Sequence, residues 1–127
     1  MKIKTDFVTN SSSSSYVLAL DESEIPDLIK FMDELKHDPN NYGNGTGIKF
    51  VFSKMKSLLD YVNGRPYDWA SKPYGFQFAN MGEERFTVCK DVIENKNKVA
   101  VGVRVDYMLQ DKFHEGGWEK YVAGHFD

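Results

Sequence analysis

Val99, Val101, Val103, Val105 and Tyr107 occupy alternate positions, and the residues between them, Ala100, Gly102, Arg104, Asp106 and Met108, are mostly small or polar. A period of two sustained over ten residues does not fit a helix. It makes this segment a long strand whose side chains divide between two faces. A strand buried on both faces, as in a doubly wound parallel sheet, reads instead as a nearly continuous apolar run. The alternation therefore predicts a sheet with one covered face and one mostly polar face, and helices mainly on one side. Residues 118–126 then read as an antiparallel return strand after a turn through His114, Gly116 and Gly117, giving a C-terminal β-hairpin.

The remaining elements follow from shorter patterns. Residues 16–20 form a short apolar run that includes a β-branched residue, and they read as a buried strand. Ile25, Leu28, Ile29, Met32 and Leu35 recur at helical spacing, so residues 23–37 form an amphipathic helix with Pro26 in its first turn. Residues 48–52 predict a second strand. Ser53 can cap a helix carrying Met55, Leu58, Leu59 and Val62, which stops at Asn63 and Gly64. Phe76 and Phe78 suggest a short strand, and residues 83–95 a third helix with Phe86, Cys89 and Ile93 on one stripe. The sum is a single domain over residues 1–127 with a Ser-rich lead-in at 1–15. Its class is α+β: a two-layer sandwich of a mixed, mostly antiparallel sheet with about three helices mainly on one face.

Length and composition bound the function classes. A chain of 127 residues can bury roughly two-thirds of its unfolded surface, enough for one core without disulfides or a structural metal. Cys89 is the single cysteine, so no intrachain disulfide can form. No apolar run approaches the ~20 residues of a membrane span, and the N-terminus lacks the apolar stretch of a secretion signal. A cytoplasmic protein is expected. The net charge of −3 argues against nucleic-acid binding through bulk charge.

Asp6, Phe7, Val8, Thr9 and Asn10 run directly into five serines, Ser11 to Ser15. This leader resembles that of scattered, mostly uncharacterised small proteins encoded by prokaryotes and phages. The resemblance spans about the first 20 residues. It implies a prokaryotic or phage origin and, by analogy, interference with a host protein or defence system. Physically the serines read as a polar, flexible lead-in, or as hydroxyls able to cradle an anion.

Catalytic candidates are sparse. His37, His114 and His125 lack the close spacing of a helical metal site, and His37 falls where a helix C-terminus would use it as a cap. His114 with Asp111 and Glu115, and His125 with Asp127, are the two acid/base arrangements available in principle, though nothing in the sequence brings them together. Cys89 lies on an apolar stripe and reads as a buried thiol. Gly43, Gly45 and Gly47 leave a helix and enter a strand, the reverse of a phosphate-cradling loop, so they read as a surface connection. No catalytic residue, metal or cofactor is therefore assigned.

The strongest binding signal is the interleaving of Tyr61, Arg65, Tyr67, Trp69, Lys72 and Tyr74 in an irregular segment. Trp, Tyr and Arg dominate protein-interface hot spots, the same set can stack a base and pair with its phosphates, and the plain alternative is a long loop whose aromatics fold back over the core. Residues 21–38 also hold seven acids against two lysines, an acidic face that is either solvated or docks on a basic partner. The sequence thus points to a small non-catalytic protein that binds a protein partner. The alternative is a domain for a nucleotide or other anionic small molecule, held between the serines and Arg65, Lys72 or Arg104. A His-dependent enzyme is the third reading. Homo-oligomers stay open.

Overall fold

The protein is described by a computed structural model over residues 13–41, 45–64 and 82–126. In chain order the elements are β1 (Ser13–Leu20), α1 (Ile25–Lys36), β2 (Gly47–Phe52), α2 (Met55–Val62), α3 (Glu83–Glu94), β3 (Val99–Asp106), α4 (Gln110–Glu115) and β4 (Val122–Phe126). Short 3-10 turns cover Glu22–Glu24, Tyr107–Leu109 and Trp118–Tyr121.

The four strands form one sheet in the order β2-β3-β1-β4, with every neighbouring pair antiparallel. The β1–β3 ladder runs unbroken from Ser13 opposite Asp106 to Leu20 opposite Val99. β1 and β2 are consequently parallel to each other with β3 between them, and α1 connects them. β3 and β4 flank β1 in the same way, connected through α4. Two split β-α-β units therefore interleave, and α2 and α3 lie between β2 and β3 in the chain.

The α+β class holds, with three differences of detail. Among the described residues the sheet has only antiparallel neighbours, where a mixed sheet was expected. The C-terminal strand is present, but it pairs with β1 and not with β3, because α4 carries the chain across β1 before β4 begins. Helices also cover both faces and not mainly one. Val99, Val101, Val103 and Val105 pack with Leu18, Leu20 and the α1 residues Ile25, Leu28, Met32 and Leu35, together with Leu109 and Phe113 beside and within α4. On the opposite face Ala100 and Val17 join Phe50, Phe52, the α2 residues Leu58 and Tyr61, and the α3 residues Cys89 and Val92.

The second layer exists because small is not the same as polar. Ala100 and Gly102 are buried, and Gly102 lies opposite Phe50 of β2. A Cβ at Gly102 would come within 2.3 Å of the Phe50 ring carbons Cε2 and Cζ. The ring occupies the volume that a side chain on β3 would otherwise fill. Phe50 cannot swing aside, because it stacks on Phe52 at 4.8 Å and contacts Tyr61 at 6.3 Å. Only Arg104 interrupts the burial of β3.

Local details differ from the sequence reading at the ends of elements. β3 stops at Asp106, whose carboxylate accepts the Met108 N–H at 3.1 Å and starts a 3-10 turn, leaving Tyr107 and Met108 exposed. A fourth helix, α4, replaces the expected turn; at six residues it is too short for its Leu109 and Phe113 spacing to register as a period. β1 begins at Ser13, so three of the five serines belong to the sheet. Ser53 does not cap α2, whose N-cap is Lys54, whereas Asn63 and Gly64 do close it, with Asn63 Nδ2 donating to the Leu59 carbonyl at 2.9 Å. The strand expected at Phe76 and Phe78 lies outside the described residues.

Gly102→Ala should destabilise the protein by about 1–3 kcal/mol, the usual cost of overpacking. Urea denaturation should show a lower midpoint in that variant. Adding Phe50→Leu should recover part of the loss, because the two sites are in contact and their effects should not add.

Candidate functional site

Of the six residues of the aromatic segment, the structure describes one. Tyr61 lies on α2 with its ring buried against Phe52 at 5.2 Å and Phe50 at 6.3 Å, so it belongs to the core and offers no face to a ligand. Arg65, Tyr67, Trp69, Lys72 and Tyr74 lie outside the described residues. Burial of Leu58 and Tyr61 turns the rest of α2 outward, and Leu59 and Val62 are exposed at 42% and 41%. These are two of the four large hydrophobic side chains exposed among the described residues, and they sit within six residues of Arg65 in the chain.

His114 and His125 meet across elements that are separate in the chain. Tyr16 on β1 faces α4, and its hydroxyl donates to Gln110 Oε1 at 2.5 Å, while Gln110 Nε2 donates to the Val105 carbonyl at 2.8 Å. The Tyr16 ring stacks with Phe113 at 4.9 Å and with His125 at 4.6 Å, and it meets His114 edge-on at 6.3 Å. One tyrosine thus brings together two histidines eleven positions apart. His114 Nδ1 approaches Glu119 Oε1 to 3.1 Å, and not Asp111 or Glu115 as its sequence neighbours implied. The alignment of this pair is off the hydrogen-bond direction, so the contact is an ion pair when the imidazole is protonated. Sequence missed Tyr16, Gln110 and Glu119 because their partners come from three different elements. Asp127, the other suggested partner of His125, lies outside the described residues.

His37 is the C-cap of α1, its Nδ1 2.8 Å from the Asp33 carbonyl oxygen, as a helix terminus favours. Among the described residues no three His, Cys, Asp or Glu side chains are placed to hold a metal ion. No described helix is long and apolar enough to cross a membrane.

The acidic stretch is spent partly inside the fold. Asp21 pairs with Lys98 at 2.7 Å, Asp38 pairs with Lys112, and Glu24 accepts the Asp21 N–H at 2.9 Å. Asp27 and Glu34 remain exposed. Arg104, the cation associated with the serines, does meet them: its Nε donates to Ser13 Oγ at 2.8 Å.

Cys89 is fully buried on α3, and burial pushes its thiol up to about 12, against a smaller opposing effect of Arg85. The thiolate that a nucleophile requires is therefore suppressed at neutral pH. No family model matches this chain, and comparison with curated proteins and with solved structures finds no match either.

A thiol reagent at pH 8 should leave Cys89 unmodified in the native protein and label it quickly in urea. The raised thiol pKa also has a sign in stability. The unfolded thiol loses its proton near its ordinary 9.0 while the folded one holds it to about 12, so stability should fall as pH rises through that window. Cys89→Ala should lack this part of the alkaline decline in a series of urea midpoints against pH.

Proposed function

We propose that this chain is a small non-catalytic protein that binds a protein partner through the segment following α2, with Arg65, Tyr67, Trp69, Lys72 and Tyr74 as its anchors. The observation that carries this reading is the exposure of Leu59 and Val62 on α2, immediately before that segment in the chain. Exposed aliphatic side chains followed in the chain by Arg, Tyr and Trp have the composition of an interface centre, where a desolvated anchor is surrounded by apolar contacts. It favours a protein over a nucleotide, because Leu and Val add nothing to the recognition of phosphates. Tyr61 supports the surface from beneath by fixing the end of α2 in the core. The buried, protonated Cys89 removes the one thiol nucleophile from consideration as a catalytic group.

On the resemblance of the leader to those of small prokaryotic and phage-encoded proteins, the partner we propose is a host or defence protein of a prokaryotic cell. Exposed acids on α1, Asp27 and Glu34, lie on a different element and offer a secondary contact to a basic region of that partner.

The Arg65→Ala/Trp69→Ala double variant should lose the partner recovered from a prokaryotic lysate by the parent protein, while its thermal midpoint stays unchanged. Leu59→Asp/Val62→Asp should weaken capture in the same assay. A double variant that keeps the partner, or one whose midpoint collapses because the rings are core, would defeat the proposal.

A further inference from the structure

α2 ends in a cap built from two residues. Asn63 is the C-cap, with φ −93° and ψ 7°; its Nδ2 donates to the Leu59 carbonyl at 2.9 Å, and its N–H donates to the same carbonyl at 3.1 Å. Gly64 follows with a φ of +74°, a left-handed conformation that favours glycine, and its N–H donates to the Tyr61 carbonyl at 3.0 Å. Both residues are exposed. Among the described residues no other asparagine is followed by glycine, since Asn40, Asn41, Asn95 and Asn97 all precede residues with side chains.

An asparagine before a glycine is chemically vulnerable, because no side chain on the following residue hinders ring closure. The Gly64 backbone nitrogen, after giving up its proton to a base in solvent, attacks Asn63 Cγ. The Cγ–Nδ2 bond breaks, and the leaving nitrogen takes a proton from water and departs as ammonia. A cyclic imide remains, and water opens it at either carbonyl to leave aspartate or isoaspartate at that position. The net reaction consumes water, releases ammonia and involves no oxidant or reductant. The cap of α2 engages both reacting groups. Attack requires loss of the Gly64 proton, which is bound to the Tyr61 carbonyl, and requires the carboxamide to turn to that nitrogen, whereas it is tied back to Leu59. Terminal turns of helices nevertheless fray at far smaller free energies than global unfolding.

We propose that Asn63 and Gly64 form a deamidation site gated by the cap of α2: closed while the last turn is formed, open when it frays, and unable to close again once it has reacted. The product is an acceptor where the cap needs a donor. A carboxylate cannot donate to the Leu59 carbonyl, and its charge at a helix C-terminus is opposed by the dipole. Isoaspartate also adds a methylene to the backbone, which shifts the Gly64 N–H away from Tyr61. None of this requires the protein partner proposed above.

Peptide mass mapping of the full chain, aged in mildly alkaline buffer with and without urea at the same pH, tests this and separates Asn63 from the Asn44–Gly45 pair. Conversion at Asn63 should be about tenfold to a hundredfold slower in buffer than in urea, the penalty of opening two ordinary hydrogen bonds. Val62→Gly, which weakens the last turn and leaves the reacting pair intact, should narrow that ratio. Should Val62→Gly prevent folding, the ratio measured on the parent protein decides alone. Equal rates in the two conditions, or no conversion in urea, would overturn the proposal. Release of the cap has its own readout. Asn63→Asp should lower the urea midpoint at neutral pH, and its gap from the parent should close as pH falls through the carboxylate range, where the protonated acid can donate to Leu59 again. A midpoint equal to the parent's at neutral pH, or a gap that ignores pH, would overturn the release of the cap by the product.

Discussion

The ring of Phe50 lies on the backbone of Gly102, and the second layer of this protein depends on that contact. β3 presents valines to α1 and α4, where four branched side chains fill a layer by themselves. Its other side has only Ala100 and Gly102 to offer near the centre, so the filling must come from elsewhere. β2 supplies it with Phe50 and Phe52, stacked at 4.8 Å, and α2 seals them with Leu58 and Tyr61. Large and small residues on neighbouring strands thus exchange volume. Close packing is reached on both faces of a sheet whose middle strand alone looks one-sided.

The connectivity works with this packing. Each split β-α-β unit places a strand of the other unit between its own two, so the β1–β3 pair, the longest ladder, is built from both units at once. α4 is only six residues long, yet it closes the edge of the first layer through Phe113 and through Gln110, which links the Tyr16 hydroxyl to the Val105 carbonyl. Ion pairs between Asp21 and Lys98 and between Asp38 and Lys112 join distant parts of the chain. Being exposed, they locate the elements more than they stabilise them.

Polar chemistry is displaced to the margins by the same economy of volume. Among the described residues the core holds the Cys89 thiol, kept protonated, and one carboxylate is buried, that of Asp106, which accepts from Met108 N–H in the turn it begins. The histidine pair lies beside β4 at one edge of the sheet. Arg104, the exposed residue of β3, lies where β1 and β2 begin and β3 ends, and Leu59 and Val62 lie exposed on α2.

The sequence by itself determined the elements whose own residues carry their signal. The alternation from Val99, the heptad-like spacing of α1, the stripe of α3 and the stop at Asn63 and Gly64 all reappear within one or two residues, because each reflects a contact pattern repeated along a single element. Several features needed the tertiary structure. Whether Ala100 and Gly102 face water or an aromatic ring depends on β2, fifty residues earlier. The partner of β4 depends on where α4 crosses, and the meeting of Tyr16, His114, Glu119 and His125 depends on register between β1 and β4. The placement of Arg104 against Ser13 follows from the β1–β3 ladder, which only the folded sheet defines. Local periodicity records which side of an element is apolar; it carries no record of what the neighbouring element brings to fill the space, and that filling decided the number of layers and put Tyr61 in the core.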